Sequence, residues 1–223
     1  KEMLVKYILS EKNYIKLYNY SKKKKIGFLA TPFDRENLAI ISKLNLEYIK
    51  ISSGDLDNIP LLRNIIKLKK KIILSTGMAD CNEISKILNF LKKNGHKKEI
   101  YLLHCVSSYP TELKFINLKS ILYLKDKFKI NIGLSDHTTS TIIPALSTML
   151  GAKIIEKHIT LNKKMKGPDH AASLNPTEFK QMVKNIRDAE LALGRYHKKP
   201  NKLELQNKKF SRRSIYTSQI IKK

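Results

Sequence analysis

The sequence predicts an α/β protein whose parallel strands close toward a barrel. Short apolar runs alternate along most of the chain with segments of helical periodicity. A polar cluster follows each apolar run, and successive clusters lie about 20 to 32 residues apart, the length of one strand and its helix. An open sheet gathers its ligand groups at one switch point, whereas a barrel recruits many strand ends around one mouth. Polar clusters behind every strand therefore favour the barrel.

Six strands are predicted, and each is a continuous apolar run, as expected for parallel strands covered on both faces. They span residues 26–30, 46–51, 71–75, 100–106, 130–134 and 153–157. A complete barrel of this kind has eight strands. Two are therefore missing, and they would precede residue 26.

Helix start signals lie between these runs. Asp80 with Glu83 forms a capping-box pattern, and Pro60 suits a first helical turn. After Gly194 the texture becomes polar, so we expect one barrel domain over residues 1–195, a linker over 196–210, and the start of a small second unit over 211–223.

The charge of the chain is strongly positive, at +25 from 44 basic and 19 acidic residues. Only six of the basic residues are Arg, whereas surfaces that read bases or clamp phosphates favour Arg. The lysines are spread over the whole chain beside abundant Ile and Asn, which indicates a compositional drift toward a solvated Lys-rich surface. We therefore expect no nucleic-acid partner, although a polyanion-binding module remains the alternative from a different class.

The sequence also favours a cytoplasmic location. It contains no run of about 20 apolar residues and no secretory signal, so no membrane partner is expected. Cys81 and Cys105 are too few for a disulfide framework and fit a reducing compartment, where both are expected to be buried inert thiols. Because the chain begins with Lys1, we expect a piece of a longer product.

His137 and His158 are the leading candidates for a metal site. They lie 21 residues apart, one strand-and-helix unit, and each follows the end of a predicted strand. Two neutral imidazoles with open remaining positions could hold a divalent ion. The alternative is a pair of satisfied histidines at the barrel rim. Asp136 and Glu156 would orient these ligands or add to them.

Lys50 lies near the end of an apolar strand, where an interior ammonium is costly unless it meets an anion. A phosphate or carboxylate in the barrel would explain it, and an outward snorkelling side chain is the alternative. Lys157 raises the same question on the opposite face from Glu156. On a later loop, Gly167-Pro168 fixes a turn that presents Asp169 toward the mouth.

Seven motifs, taken together, resemble the sialic acid synthase (N-acetylneuraminate synthase) family, which includes legionaminic acid synthases. Their order and spacing are kept from about residue 26 onward. The motifs are TPFD (31–34), KISSGD (50–55), STGM (75–78), LHCVSSYPT (103–111), GLSDHT (133–138), EKHIT (156–160) and KGPDHAAS (166–173).

The resemblance implies a (β/α)8 TIM barrel, here lacking its first two strands, followed by a small antifreeze-like domain in a domain-swapped homodimer. Residues 212–223 look like the first strand of that second domain. The family's first two strands carry further phosphate and sugar contacts, and they have no counterpart in this sequence.

The resemblance also implies the site. His137 and His158 would bind a divalent ion, manganese before magnesium or cobalt. The expected phosphoenolpyruvate contacts are Thr31, Lys50, Ser53, Ser75, Ser107 and Ser135. The expected sugar contacts are Asp55, Tyr109 and Asp169. Asp55 stands where the family usually has Glu, and Ser107 replaces an Asn or Thr.

The activity implied is condensation of phosphoenolpyruvate with N-acetylmannosamine or a related N-acetylated amino sugar, giving a sialic-type acid and phosphate. Lys50, His137, Glu156 and His158 are the expected catalytic residues, with Glu156 as a guess for the proton-transfer group. Legionaminic or pseudaminic acid synthesis is the alternative within the class. An inactive truncated remnant is a further alternative.

Overall fold

A computed structural model describes residues 8–222 and shows a five-stranded, wholly parallel sheet. The strands are paired in sequence order, each with the next. They are β1 (Tyr48–Ile51), β2 (Lys71–Ser75), β3 (Ile100–Cys105), β4 (Asn131–Asp136) and β5 (Ile155–Lys157). Five of the six predicted strands are confirmed, and the sheet has the shape of a half barrel.

The predicted strand 26–30 is wrong as a regular strand. The segment has no ladder of its own, and only the Lys50 N–H donates to the Ala30 carbonyl, at 3.4 Å. Ile26 and Leu29 are exposed. A strand pairs cooperatively along its length, and this run has β1 on one side and no described partner on the other.

Eight α-helices are present among the described residues. They are α1 (Glu11–Lys23), α2 (Arg35–Ser42), α3 (Ile59–Lys67), α4 (Cys81–Lys93), α5 (Lys119–Phe128), α6 (Ile143–Met149), α7 (Pro176–Leu193) and α8 (Lys202–Ser211). The predicted capping box opens α4, since the Asp80 carboxylate accepts from the Asn82 and Glu83 N–H groups and Glu83 accepts from Asp80. None of these helices is long and apolar enough to cross a membrane.

The hydrophobic core lies between the sheet and the helices that follow its strands. Helix α3 shows the principle, because Leu61, Leu62, Ile65 and Ile66 recur at helical spacing and are all buried. On the sheet, Ile72 and Leu74 of β2 are fully buried on the same face. Polar residues such as Ser75 and Ser135 instead lie near the carboxyl ends of the strands.

The chain divides into two compact units between Ala192 and Leu193, and all five strands lie in the first. In the second, the predicted linker 196–210 contains helix α8, which Asn201 and Glu204 open with a reciprocal capping box. Residues 212–222 form no helix or strand, so the strand predicted for this segment is not seen in them.

Candidate active site

A cavity of about 470 Å³ lies at the carboxyl ends of the strands. Ten of the twelve predicted site residues line it, and they come from the ends of all five strands and from the segment before β1. These are Thr31, Lys50, Ser53, Ser75, Ser107, Tyr109, Ser135, His137, Glu156 and His158. The fold therefore converges residues that are up to 127 positions apart in the sequence, from Thr31 to His158.

His137 follows β4 and is held rigidly. Its Nδ1 lies 2.7 Å from the Val106 carbonyl oxygen, and its own carbonyl accepts from the Thr111 N–H at 3.0 Å. A carbonyl oxygen can only accept, so Nδ1 carries the hydrogen and the Nε2 lone pair is left free. Burial lowers the pKa of His137, and the neighbouring His158 lowers it further, whereas the Val106 contact raises it. The imidazole is therefore neutral near pH 7.

His158 and Tyr109 complete an aromatic group with His137. The two imidazole centroids are 5.5 Å apart with the rings at 73°, and the Tyr109 ring lies 4.0 Å from that of His137 at 31°. Tyr109 also meets His158 edge-on at 5.7 Å. Burial raises the pKa of the Tyr109 phenol, and the charges of Cys105, Asp169 and Glu156 add to this, so the hydroxyl stays protonated.

Glu156, on β5, joins Lys50 to Ser135. The Ser135 hydroxyl donates to Oε1 at 2.7 Å, and Lys50 Nζ lies 3.3 Å from Oε2. Lys50 is 6% exposed, which settles its orientation toward the interior. A buried ammonium requires an opposite charge, and here the only carboxylate within salt-bridge distance among the described residues is the half-exposed Glu156. The Lys50 ammonium group therefore faces the cavity, where the negative charge of a bound anion would also pair with it.

The floor of the cavity is built around Gly77. Its N–H donates to Ser53 Oγ at 2.9 Å. A side-chain carbon at this position would lie 2.3 Å from Ser107 Oγ, 2.9 Å from Ser53 Oγ and 3.2 Å from Cys105 Sγ. The absence of a side chain at residue 77 therefore keeps open the space among these three groups.

Cys105 is the main site residue that the sequence reasoning missed. The thiol is buried, as predicted, but it lines the cavity, with Sγ 4.0 Å from His137 Nδ1 and 3.8 Å from Ser53 Oγ. Its place at the carboxyl end of β3, level with the predicted site residue Ser135 on the next strand, was the available signal. Cys81 opens α4 and is only partly buried.

Two predicted residues, Asp55 and Asp169, do not line the cavity. The Asp55 carboxylate accepts from Ser52 Oγ at 2.6 Å and from Asn58 Nδ2 at 3.1 Å, so local turn bonds hold it aside. Asp169 is exposed on the loop after β5 in a left-handed conformation. Asp169 is nevertheless near enough to Tyr109 for its charge to raise the pKa of that phenol, and the sugar contacts predicted for Asp55 and Asp169 stay predictions.

Asp136 and Lys157 also face away from the cavity. Asp136 Oδ2 and Lys157 Nζ form a 2.6 Å ion pair, and the side chains are 0% and 1% exposed. Successive residues of a strand point to opposite faces, so these two lie behind the cavity-facing residues 135, 137, 156 and 158. Asp136 is therefore excluded as a metal ligand, and Lys157 as a substrate contact.

Comparison with known proteins identifies the family. The sequence profile of the NeuB family matches residues 1–198. The chain belongs to the NeuB family. It is 46% identical to N,N'-diacetyllegionaminic acid synthase of Campylobacter jejuni over its whole length, covering 67% of that protein. It is 38% identical to N-acetylneuraminate-9-phosphate synthase of Drosophila melanogaster over 82% of the chain, covering 49% of that protein.

Solved structures agree with the NeuB assignment. The crystal structure of N-acetylneuraminic acid synthetase from Leptospira borgpetersenii, in complex with citrate, superposes with a TM-score of 0.85. The identity is 35%, over 96% of this chain and 75% of that one. A truncated 3-deoxy-D-arabino-heptulosonate 7-phosphate synthase from Thermotoga maritima shares the fold, with a TM-score of 0.74 at 17% identity. The chain spans between three fifths and two thirds of the length of its first curated NeuB-type relatives.

The residues of this NeuB-family cavity fit a divalent ion on two imidazoles. The Ser135 hydroxyl points its hydrogen at Glu156, so the His137 Nε2, 3.4 Å away, keeps its lone pair free. No cluster of three or more His, Cys, Asp or Glu ligands occurs within residues 8–222. An ion held only by His137 and His158 would leave positions open for water or substrate oxygens, which is the pattern of a catalytic rather than a structural site.

Proposed function

We propose that this chain forms most of the catalytic barrel of a synthase. The reaction condenses phosphoenolpyruvate with an N-acetylated amino sugar and gives a nonulosonic acid and phosphate. The observation that carries the proposal is the cavity itself, where a buried Lys50, a ring of serine hydroxyls and two converging imidazoles meet at the strand ends. The names of the NeuB-family relatives support the same reaction class.

Lys50 and the serine hydroxyls are proposed to hold the phosphoenolpyruvate anion. Ser75 Oγ is buried and has no hydrogen-bond partner among the described residues. Ser53 accepts from Gly77 and donates only to the weak acceptor Cys105 Sγ, at 3.8 Å, so an anion could take over that hydrogen. Thr31, Ser107 and Ser135 add hydroxyls around the same space. An ammonium and several pre-placed O–H donors suit a carboxylate and a phosphate better than a neutral ligand.

His137 and His158 are proposed to hold the divalent ion, manganese first, with magnesium or cobalt as alternatives. When bound, the ion would polarise the carbonyl of the open-chain sugar as a Lewis acid. The chain's own contribution is a pair of imidazoles of fixed separation, with Tyr109 packed over them to limit access by water.

In the proposed reaction, C3 of phosphoenolpyruvate attacks the aldehyde carbon of the sugar and forms the new C–C bond. Water then adds at C2, and phosphate leaves with cleavage of its C–O bond. Positioning and fixed charge would supply most of the rate. Glu156 lies between Lys50 and Ser135 and is our choice for the group that moves the proton to the new hydroxyl.

Tyr109 is proposed to contact the sugar from its place beside both imidazoles. Asp55 and Asp169 keep their proposed sugar contacts only if binding moves them, Asp169 with its loop and Asp55 by release from Asn58. The sugar is N-acetylmannosamine or a diacetamido relative. Two relatives, at 46% and 39% identity, are named N,N'-diacetyllegionaminic acid synthases. A diacetamido sugar is therefore the alternative substrate to test.

The larger assembly is proposed by the same reasoning. The half barrel would be completed to eight strands, with an antifreeze-like domain following and a domain-swapped homodimer as the working form. The two free cysteines support a reducing compartment, the cytoplasm, as the site of action.

The deciding experiment measures phosphate release from phosphoenolpyruvate by the full gene product with manganese. N-acetylmannosamine and a 2,4-diacetamido-trideoxy sugar are compared as acceptors. We expect release that needs both metal and sugar and that falls by at least about 100-fold in His137→Ala. His170→Ala is the matched control, because His170 bonds Thr160 outside the cavity. A folded protein that releases no phosphate with either sugar would leave an inactive remnant.

A further inference from the structure

Beneath the two imidazoles lies a buried cluster of charge that the proposed reaction does not use. It consists of the Asp136–Lys157 ion pair and of Thr138, which is hydrogen-bonded to it. We call these three residues the Asp136–Lys157 clamp. Both charged side chains are at most 1% exposed, and neither lines the cavity. A buried ion pair is seldom more stable than a well-packed apolar pair of similar volume. Its presence behind the site therefore calls for a role other than stability.

The clamp fixes the backbone on both sides of His137. Asp136, the residue before it, accepts from the Thr138 N–H at 2.9 Å and from the Thr138 hydroxyl at 3.2 Å. Lys157 Nζ donates to the carbonyl oxygen of Thr138, the residue after it. His137 thus sits between two residues that are bonded to each other and to the neighbouring strand.

The same clamp fixes the residue before His158. Strand β5 pairs with β4 over only three positions, and the last pair is Asp136 with Lys157. One residue further along each strand come the two imidazoles. The ion pair is therefore the last cross-strand tie before the ligands, on the face opposite to them.

We propose that the Asp136–Lys157 clamp is a positioning device that sets the separation and orientation of the His137 and His158 rings. The use of the positioned rings, to hold a metal ion, rests on the proposed function, whereas the contacts that position them do not. It makes Asp136, Thr138 and Lys157 positioning residues, because they act through the imidazoles and touch no part of the cavity.

The test compares two double variants of the full protein. Asp136→Leu with Lys157→Met removes the charges and the bonds to Thr138. Asp136→Asn with Lys157→Gln removes the charges but keeps groups that can bond to Thr138. Lys184→Met with Asp188→Leu is the control, since it deletes an exposed ion pair on α7, away from the site.

Four readouts are taken: the ring separation in a crystal structure, the Mn²⁺ dissociation constant, steady-state kinetics, and the temperature of unfolding, which shows whether each variant is folded. In the apolar variant we expect the rings to shift by more than about 0.5 Å from their 5.5 Å separation. We also expect Mn²⁺ affinity about 10- to 100-fold weaker, with kcat falling more than the KM for phosphoenolpyruvate rises. The amide variant should recover most of the Mn²⁺ affinity, and the control should match the parent.

An unmoved pair of rings in the apolar variant would overturn the proposal. If that variant does not fold, an amide variant whose rings stay at the parent separation while its Mn²⁺ affinity falls about 10-fold or more would overturn it, because the charges would then act without positioning the rings. If the parent protein binds Mn²⁺, an apolar variant with the same Mn²⁺ dissociation constant as the parent would also overturn the proposal. Failure of the proposed function would be distinguishable from this result. The parent protein would then release no phosphate, while the ring separation would still change in the apolar variant.

Discussion

Gly77 illustrates how one residue without a side chain shapes the cavity. Its backbone N–H is the partner of Ser53, and the space where a side chain would stand is bordered by oxygen and sulfur atoms of three neighbours. In the proposed reaction this space belongs to the phosphoenolpyruvate anion. Gly77 therefore shapes the cavity in two ways: its N–H holds Ser53, and its lack of a side chain leaves space beside Ser53, Cys105 and Ser107.

We predict that Gly77→Ala raises the KM for phosphoenolpyruvate by at least about 10-fold and changes the Mn²⁺ dissociation constant little. The added methyl carbon would stand 2.3 Å from Ser107 Oγ, so the Ser107 hydroxyl must leave its present place on the cavity wall. Steady-state kinetics and Mn²⁺ titration give the two numbers.

Gly27→Ala is the matched control, since a side-chain carbon there meets nothing within 4 Å. The collision with Ser107 Oγ should also lower the free energy of unfolding of Gly77→Ala. Adding Ser107→Ala removes this collision and should recover part of that free energy. A KM unchanged in folded Gly77→Ala would show that the anion does not occupy this floor.

Tyr109 provides a second residue-scale test, because its ring and its hydroxyl have separable roles. We expect Tyr109→Phe to keep the 4.0 Å stacking on His137 and hence the Mn²⁺ affinity. The lost hydroxyl should raise the KM for the sugar several-fold, with the KM for phosphoenolpyruvate near that of the parent. An equal effect on both substrates would argue against a contact specific to the sugar.

At the scale of the elements, helix α3 connects core packing to the site. Its N-cap, Asn58, accepts from the Leu61 N–H at 3.2 Å and donates to Asp55 at 3.1 Å. The same side chain thus starts a helix that buries four apolar residues and holds a carboxylate away from the cavity.

We predict that Asn58→Ala lowers the free energy of unfolding by about 1 kcal/mol, the usual cost of losing an N-cap. Asp55 would then keep only the bond from Ser52 Oγ, at 2.6 Å, and the KM for the sugar should change if this carboxylate contacts it on binding. Urea unfolding and sugar kinetics are the measurements. Asn64→Ala on the same helix is the control, because Asn64 caps nothing and Ala favours the helix interior.

The sequence patterns located the strands better than they located the side chains around the mouth. Strand β2 was predicted with its bounds, since a continuous apolar run with turn signals leaves few alternatives. Segment 26–30 is similarly apolar but forms no ladder, since the Lys50 N–H to Ala30 carbonyl bond is the one backbone bond that joins it to β1 among the described residues. Strand formation depends on how a segment packs and pairs and not on composition alone.

Local hydrogen bonds explain the remaining differences. Helix α8 was hidden in a polar stretch, and its capping box of Asn201 and Glu204 was the signal to read. Asp55 carries the right chemistry for the site, but its turn partners decide where the carboxylate points. Spacing along the chain predicts which residues share an end of the sheet, whereas such side-chain bonds are set only after folding.

For the whole molecule, two buried histidines outside the site predict a dependence of stability on pH. Burial lowers the pKa of His96 and of His104 below the ordinary 6.5, although backbone groups of Lys98 and Ile116 offset part of the effect. As pH falls below 6.5 the unfolded chain takes up these protons and the native protein does not. The unfolded state is then favoured, so stability is present above this pH and is lost below it.

We expect the free energy of unfolding, measured by urea at several pH values with chelator present, to be flat between about pH 7 and 8. Below about pH 6.5 it should fall with a slope of up to about 1.4 kcal/mol per pH unit for each of the two histidines. His96→Leu should reduce that slope, because it removes one of the two buried titrating groups and leaves His104 in place. A slope identical to that of the parent would assign the effect to other groups.

The strand order of the sheet has a consequence for biosynthesis. Each strand pairs with the next one in the chain, so the sheet can be laid down in the order in which a ribosome releases it. The nascent chain acquires Lys50 early, but it gains its first cavity imidazole only with the end of β4 and the second after β5, at residue 158. In the proposed function, the divalent ion would therefore bind tightly only to chains whose sheet has been finished as far as β5, and a stalled product ending before residue 158 would hold one of the two imidazoles.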